Sequence, residues 1–374
     1  MKATPNSTFQ AAGLIYGPEL HHLDHLAPLC CLMEIPLIVT EQRIADLAKR
    51  FYPGIKVLVC DYLGVAEQLV SHFDIIFYSI PRDLFDEVFF FAQKMLQKRV
   101  HTIWCPHGNS DKGNAIFYME ALRKEEAALI YGKQMIELFK QKNIYDQLKG
   151  HVITGNYRYQ FYREHQAFYD ALVKKEVMRK LPQAKRTLLY APTWNDYEKS
   201  SSFFDAIKPL IETLQEDHNL IIKLHPNLLL QEEFAIEELM HKYTEHNNIL
   251  FLTEFPAVFP LLHQADAYIG DMSSIGYDFL ALNRPMFFLN QNARNAKTDT
   301  GLYLLRCGIE ILPEDYNKVH TIIQKYFQYE LRDFSEIRKE VFSLSFGKER
   351  PLADLKQEIL RLYSLFPEKE LNFY

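Results

Sequence analysis

The stretch Asp266-Ala-Tyr-Ile-Gly-Asp-Met-Ser-Ser-Ile-Gly-Tyr-Asp278 decides how this chain is read. Ala267–Ile269 is a short apolar strand, Gly270–Ser274 a polar turn, and a helix is expected from Ile275. Strand, turn and helix start in that order mark one unit of an α/β fold. Ser273 and Ser274 bring hydroxyls and unsatisfied backbone N–H groups to one point, where the helix dipole adds partial positive charge. Such a point suits a phosphate or diphosphate. A plain serine cap is the competing reading. Three further clusters separate the two, at His107, Thr193 and His225.

Working outward, apolar runs alternate with helix-like segments almost throughout. Strands are expected at Gly13–Tyr16, Pro36–Thr40, Val57–Cys60, Ile75–Ile80, Thr102–Cys105, Ala127–Tyr131 and His151–Thr154. A second set follows at Thr187–Ala191, Leu220–Leu224, Ile249–Leu252, Ala267–Ile269, Pro285–Leu289 and Gly308–Leu312. Continuous apolar strands separated by helices imply parallel sheets covered on both faces. The interruption at Arg179–Arg186 divides the rhythm in two. The expected fold is therefore α/β, with two doubly wound Rossmann-like domains facing across a cleft. The expected boundaries are 1–180, 181–348 and a C-terminal helix, 349–374, crossing back to the first domain.

In open parallel sheets, ligands bind beyond the carboxyl ends of the strands. Five polar clusters fall at such ends: His21, His22, Asp24 and His25; His107 and Gly108; Thr193; His225; and Asp271–Ser274. Their convergence on one cleft is the main expectation drawn from the residues. His107, in Trp104-Cys-Pro-His-Gly-Asn-Ser-Asp-Lys-Gly113, is a candidate general base, because imidazole titrates near neutrality. Asn109, Ser110 and Lys112 are candidates for phosphate or an acceptor hydroxyl. His225, in Lys223-Leu-His-Pro226, is a candidate diphosphate donor, and Thr193 a phosphate contact. Taken singly, each also fits a structural histidine or a capping loop.

The residues exclude several classes. Hydrophobic residues make up 48% and net charge is −6, which fits a globular chain and argues against a dedicated nucleic-acid binder. Five cysteines, with no CxxC pair, fit a reducing compartment. No signal peptide is evident and no apolar run reaches the roughly 20 residues that span a bilayer. The expectation is a cytoplasmic chain, with peripheral contact at the inner membrane face if its substrate is lipid-borne. His21 and His25 have a His-x3-His spacing, but no further ligands complete a metal site, so none is expected. Neither GxGxxG after the first strand nor GxxxxGK[ST] is present, which disfavours an ordinary dinucleotide fold and a P-loop NTPase.

In combination, Tyr190–Trp194, Lys223–Pro226, Ala265–Asp278 and Pro285–Leu289 resemble the CDP-glycerol glycerophosphotransferase family, the teichoic-acid primases and polymerases. Trp104–Asn109 resembles the family's Trp-His-Gly-Thr element with two residues inserted, and Thr300-Gly-Leu-Tyr303 is similar to its Arg-Gly-aromatic segment. The resemblance implies the twin-Rossmann (GT-B) architecture. It also implies transfer of glycerol phosphate, or a related alditol phosphate, from a CDP-alditol to a hydroxyl of a lipid-linked or cell-envelope acceptor. By position it makes His107 the base, His225 a catalytic diphosphate contact, Thr193, Asp271, Ser273 and Ser274 donor-phosphate residues, and Asp278 a nucleotide contact. No cofactor is implied beyond the donor itself. Asn195 and Met272 depart from the family's usual arginine and tyrosine, and the amphipathic membrane segment of many members is not evident. Two alternatives remain at this point. One is a transferase or epimerase of the same architecture acting on a UDP-sugar; the other is a silent nucleotide-binding scaffold.

Overall fold

The computed structural model describes residues 9–80, 82–110, 121–183, 185–196 and 198–366. Within these the chain forms two compact units, one of 9–107, 121–160 and 346–366, the other of 108–110 and 161–345.

The first unit is built on strands β1 (Ala11–Ile15), β2 (Leu37–Val39), β3 (Val57–Val59), β4 (Ile75–Tyr78), β5 (His101–Trp104), β6 (Ala127–Ile130) and β7 (Gly150–Ile153). All pair in parallel in the order β3-β2-β1-β4-β5-β6-β7. β1, β4, β5 and β6 are buried along their whole length, which explains their unbroken apolar character. β3 lies at the edge, and Leu58 and Val59 there face solvent.

The second unit repeats the plan. Its strands are β8 (Arg186–Ala191), β9 (His218–Lys223), β10 (Ile249–Leu252), β11 (Ala267–Gly270), β12 (Met286–Leu289) and β13 (Ile309–Ile311). They are again all parallel, in the order β10-β9-β8-β11-β12-β13. Its core joins Leu188, Tyr190, Leu220, Ile222, Ile269 and Phe287 of the sheet to Phe203, Ile207 and Leu210 of helix Phe203–Glu212. Both sheets run outward in opposite directions from their first strand. The reversal falls between β1 and β4 in one and between β8 and β11 in the other. At such a point successive connections leave the sheet on opposite faces and open a crevice at the strand ends.

All thirteen expected strands are present, with ends shifted by one or two residues. Four points of the arrangement carry information. The residues after β1 are not an open loop: a short 3-10 turn, Leu20–His22, runs directly into helix Leu23–Met33. Between β9 and β10 the chain forms two successive helices, Pro226–Gln231 and Glu233–Lys242. The chain changes unit at residues 160–161, not near 180, because helix Gln166–Glu176 packs on helix Val258–Leu262 of the second sheet. Helix Leu352–Leu362 packs against β7 and helix Leu23–Met33, and so belongs to the first unit.

Candidate active site

In the first unit the crevice between β1 and β4 is lined by histidine. His22 ends the turn after β1, and Ser79 is the first residue beyond β4. The Nδ1 of His22 and the hydroxyl of Ser79 lie 2.6 Å apart, which ties the two strand ends together. His107, beyond β5, meets both neighbours edge-on, with ring centroids 5.0 Å from His22 and 5.8 Å from His21. Its ring keeps solvent access, and Gly108 follows it at φ +137°, a conformation that favours glycine and turns the chain away. The protein packed around His107 lowers its pKa below the usual 6.5, and a hydrogen bond to the Ser79 backbone offsets part of that effect. That bond needs an N–H on the ring, so the other nitrogen carries a lone pair at neutral pH. These are the attributes of a base.

Asp24 and His25, expected beside His107, turn inward instead, because Leu23 begins a helix and both side chains fall on its packed faces. Asp24 forms a buried ion pair with Arg158 at 2.7 Å and accepts from the Tyr52 hydroxyl at 3.0 Å. The Nδ1 of His25 meets the Tyr131 hydroxyl at 2.6 Å, and that hydroxyl donates to the carbonyl of Pro106 at 3.2 Å. Tyr157 donates to the carbonyl of His25 at 2.6 Å. Burial, reinforced by the nearby Arg158 charge, drives the pKa of His25 well below 6.5 and keeps it neutral. These residues hold the segment on which His107 stands. Asn109 is buried and Ser110 exposed; Lys112 lies outside the described residues.

In the second unit, Asp271 occupies the β8/β11 crevice with no solvent exposure. Its carboxylate accepts the backbone N–H of Thr193 at 2.7 Å and of Ser202 at 3.3 Å. Its chemistry is thus to shape the two loops, while Thr193 is buried beneath them. Helix Ser274–Phe279 starts one residue earlier than expected, with Ser273 in the cap position. The Ser273 hydroxyl makes no cap; it lies 3.1 Å from the Tyr268 hydroxyl. Asp278 is buried within the same helix. His225 caps helix Pro226–Gln231, its Nδ1 accepting from Asn227 N at 3.1 Å, and its ring lies 6.3 Å from that of Trp194. An accepting Nδ1 places the proton on Nε2, so neutral His225 is a donor through Nε2. Arg294 joins Glu198, in the loop after β8, to Asp299, which in turn accepts from Gly301 N. This fixes the start of the Thr300–Tyr303 segment.

Sequence reading missed Ser79, Tyr131, Arg158 and Tyr268. Only Ser79 carried a usable signal, as a polar residue directly after an apolar strand. Among the described residues no group of His, Cys, Asp and Glu has the geometry to hold a metal ion, and no helix is long and apolar enough to cross a membrane.

Two parallel doubly wound units, with polar groups at their reversal points, define a twin-Rossmann α/β protein. The sequence profile of the family described as CDP-Glycerol:Poly(glycerophosphate) glycerophosphotransferase matches residues 121–332, more than half of the chain, and the chain belongs to that family. It is 32% identical over 121 residues to the teichoic acid glycerol-phosphate primase of Bacillus subtilis strain 168, covering 32% of this chain and 29% of the primase. The alignment thus spans less than a third of that relative. In fold it is similar to the wall teichoic acid polymerase TagF, with a TM-score of 0.68 at 16% identity over 95% of this chain and 88% of the other. It is also similar to Staphylococcus aureus MnaA, solved with UDP, with a TM-score of 0.64 at 14% identity over 98% and 100%.

The buried pair behind the histidines gives a stability test. Replacing Arg158 with Met strands the Asp24 carboxylate away from water, and the expected loss is about 3–5 kcal/mol in urea unfolding. Adding Asp24→Leu should restore much of it. A single Arg158→Met variant as stable as the parent chain would mean that the pair is not a structural anchor.

Proposed function

We propose that the protein transfers glycerol phosphate, or a related alditol phosphate, from a CDP-alditol to a hydroxyl of a cell-envelope acceptor. Membership of the glycerophosphotransferase family carries this reading, because the matched residues 121–332 include Thr193, His225 and Asp271–Asp278. His107 precedes the matched region, and its role rests on its chemistry in the first unit.

In the proposed reaction the acceptor oxygen bonds to the glycerol-bearing phosphorus and gives its proton to the lone pair of His107. The bond from that phosphorus to the bridging oxygen breaks, and CMP leaves with the electron pair. His225 donates through Nε2 to the departing phosphate, and Ser273 and Ser274 hydrogen-bond the donor. Little covalent work falls to the protein, so positioning and charge stabilisation supply the rate. Asp271 supports the site by fixing the loops of Thr193 and Ser202, not by touching phosphate, which its charge repels. The UDP-sugar alternative differs in donor. Calorimetry with CDP-glycerol against UDP-sugars decides between them, with CDP-glycerol expected to bind more tightly.

A lipid-borne acceptor brings the protein to a membrane surface as a peripheral partner. Helix Arg82–Leu96 supports this, since it turns Phe90, Phe91, Met95 and Leu96 to solvent, with Lys94 over the ring of Phe90. Aromatic and basic side chains together suit the headgroup boundary.

Three outcomes are expected. His107→Ala should lower turnover by ~10²–10⁴-fold and leave donor affinity unchanged. A histidine with a lowered pKa is neutral at pH 7, so kcat/KM should fall on acidification with a midpoint below 6.5, and this limb should vanish in the variant. Equal losses of turnover and donor affinity would make His107 a binding residue. Replacing Ser273 and Ser274 with alanine should weaken CDP-glycerol by at most ~10- to 100-fold per serine, and unchanged affinity for both CDP-glycerol and CMP would reduce the turn to an ordinary cap. In sedimentation with anionic vesicles, Phe90→Ser with Phe91→Ser should lower the bound fraction several-fold; equal binding by parent and variant argues against this helix as the contact.

A further inference from the structure

Ser273 occupies the position where serine ordinarily caps a helix, yet its hydroxyl does not bond the helix backbone. It faces the hydroxyl of Tyr268 at 3.1 Å. Tyr268 is fully buried in β11, its ring packed against Phe279 and Phe288 with centroids 5.5 and 6.0 Å away. The strand leaves room for this phenol at Gly270: a Cβ there would stand 2.3 Å from the Tyr268 oxygen. On the helix side, a Cβ at Gly276 would come within 3.5 Å of the same oxygen. Among the described residues the phenol has one further acceptor, the Asp271 carbonyl at 3.5 Å. Burial raises the phenol's pKa; the Ser273 hydrogen bond offsets part of that, Asp271 and Asp278 add to it, and the phenol stays protonated.

We propose that Tyr268 is a positioning residue for the donor phosphate: its buried hydroxyl donates to Ser273 Oγ, withdraws that oxygen from capping the helix, and directs the serine's own hydrogen to a phosphate oxygen of the nucleotide. This rests on the reading of the Ser273–Ser274 turn as the donor site. The phenol is the more acidic of the two hydroxyls and so the better donor. Accepting one hydrogen bond strengthens the one that Ser273 gives, since linked hydrogen bonds polarise one another. Without the phenol, Ser273 is free to turn back and cap its own helix, an arrangement common for serine at this position. Tyr268 does not meet the nucleotide itself, because the residue is fully buried.

The test is a double-mutant cycle on the full chain, titrating CDP-glycerol and CDP into the parent, Tyr268→Phe, Ser273→Ala and the combined variant. Phe keeps the ring contacts, and thermal unfolding of each protein reports any loss of packing. Tyr268→Phe is expected to weaken both ligands by ~3- to 10-fold, the range of one neutral hydrogen bond. In the Ser273→Ala background it should add nothing further. A merely structural tyrosine would lower the melting temperature without that coupling. The proposal fails if Tyr268→Phe binds as the parent does while Ser273→Ala is weakened, or if the two losses multiply in the combined variant. A parent chain that binds neither ligand overturns the donor reading itself, and a Ser273→Ala variant that binds normally overturns the serine's part in it.

Discussion

A carboxylate with no access to water, that of Asp271, holds the second unit's strand ends in place. In a parallel sheet the connections after β8 and β11 leave in opposite directions, and nothing in the backbone ladder joins them. Asp271 supplies the join by accepting backbone N–H groups from Thr193 and Ser202. A charged acceptor bonded to backbone amides is among the stronger hydrogen-bonding arrangements available to a protein. The first unit meets the same problem with two side chains, as His22 and Ser79 bridge the loops after β1 and β4. Each sheet therefore carries a polar stitch at its reversal point, and the candidate reactive groups sit beside those stitches.

The stitches are fixed from behind. In the first unit Asp24, Arg158, His25 and Tyr131 link helix Leu23–Met33 to residues over a hundred positions away and reach the carbonyl next to His107. In the second, Arg294 ties two loops through Glu198 and Asp299. Buried polar networks such as the first stabilise when every member is satisfied and are costly when one is lost. They set where a side chain points, which in the proposed phosphoryl transfer would be most of what the protein contributes.

The strands were legible in the sequence because burial on both faces demands an unbroken apolar run, and each run stands between polar turns. The helix Leu23–Met33 was not. Its buried residues run almost continuously and Pro28 lies inside it, so neither an apolar stripe nor a clean boundary marks it. Asp24 and His25 then looked like ligands for want of visible partners, since Arg158 and Tyr131 are distant in sequence and carry no motif. Tyr268 was hidden for the opposite reason: an aromatic residue in a strand is what a core requires, and only its hydroxyl has a polar partner. Ser273 and Ser274 were legible because two serines between a strand and a helix have few other uses.

The two histidines assigned to the proposed chemistry are not interchangeable, and the reason is their hydrogen bonds rather than their exposure. His225 spends Nδ1 on the Asn227 amide, so its proton lies on Nε2 and it can only donate without breaking its helix cap. His107 turns an N–H toward the Ser79 backbone, so its remaining nitrogen accepts. In the proposed reaction one ring would donate a hydrogen bond to the departing phosphate, and the other would take the proton of the attacking hydroxyl. Exchanging the roles would oblige His225 to release Asn227 and His107 to release Ser79. The division of labour is thus written into one backbone amide and one backbone carbonyl, neither of which a side-chain substitution removes.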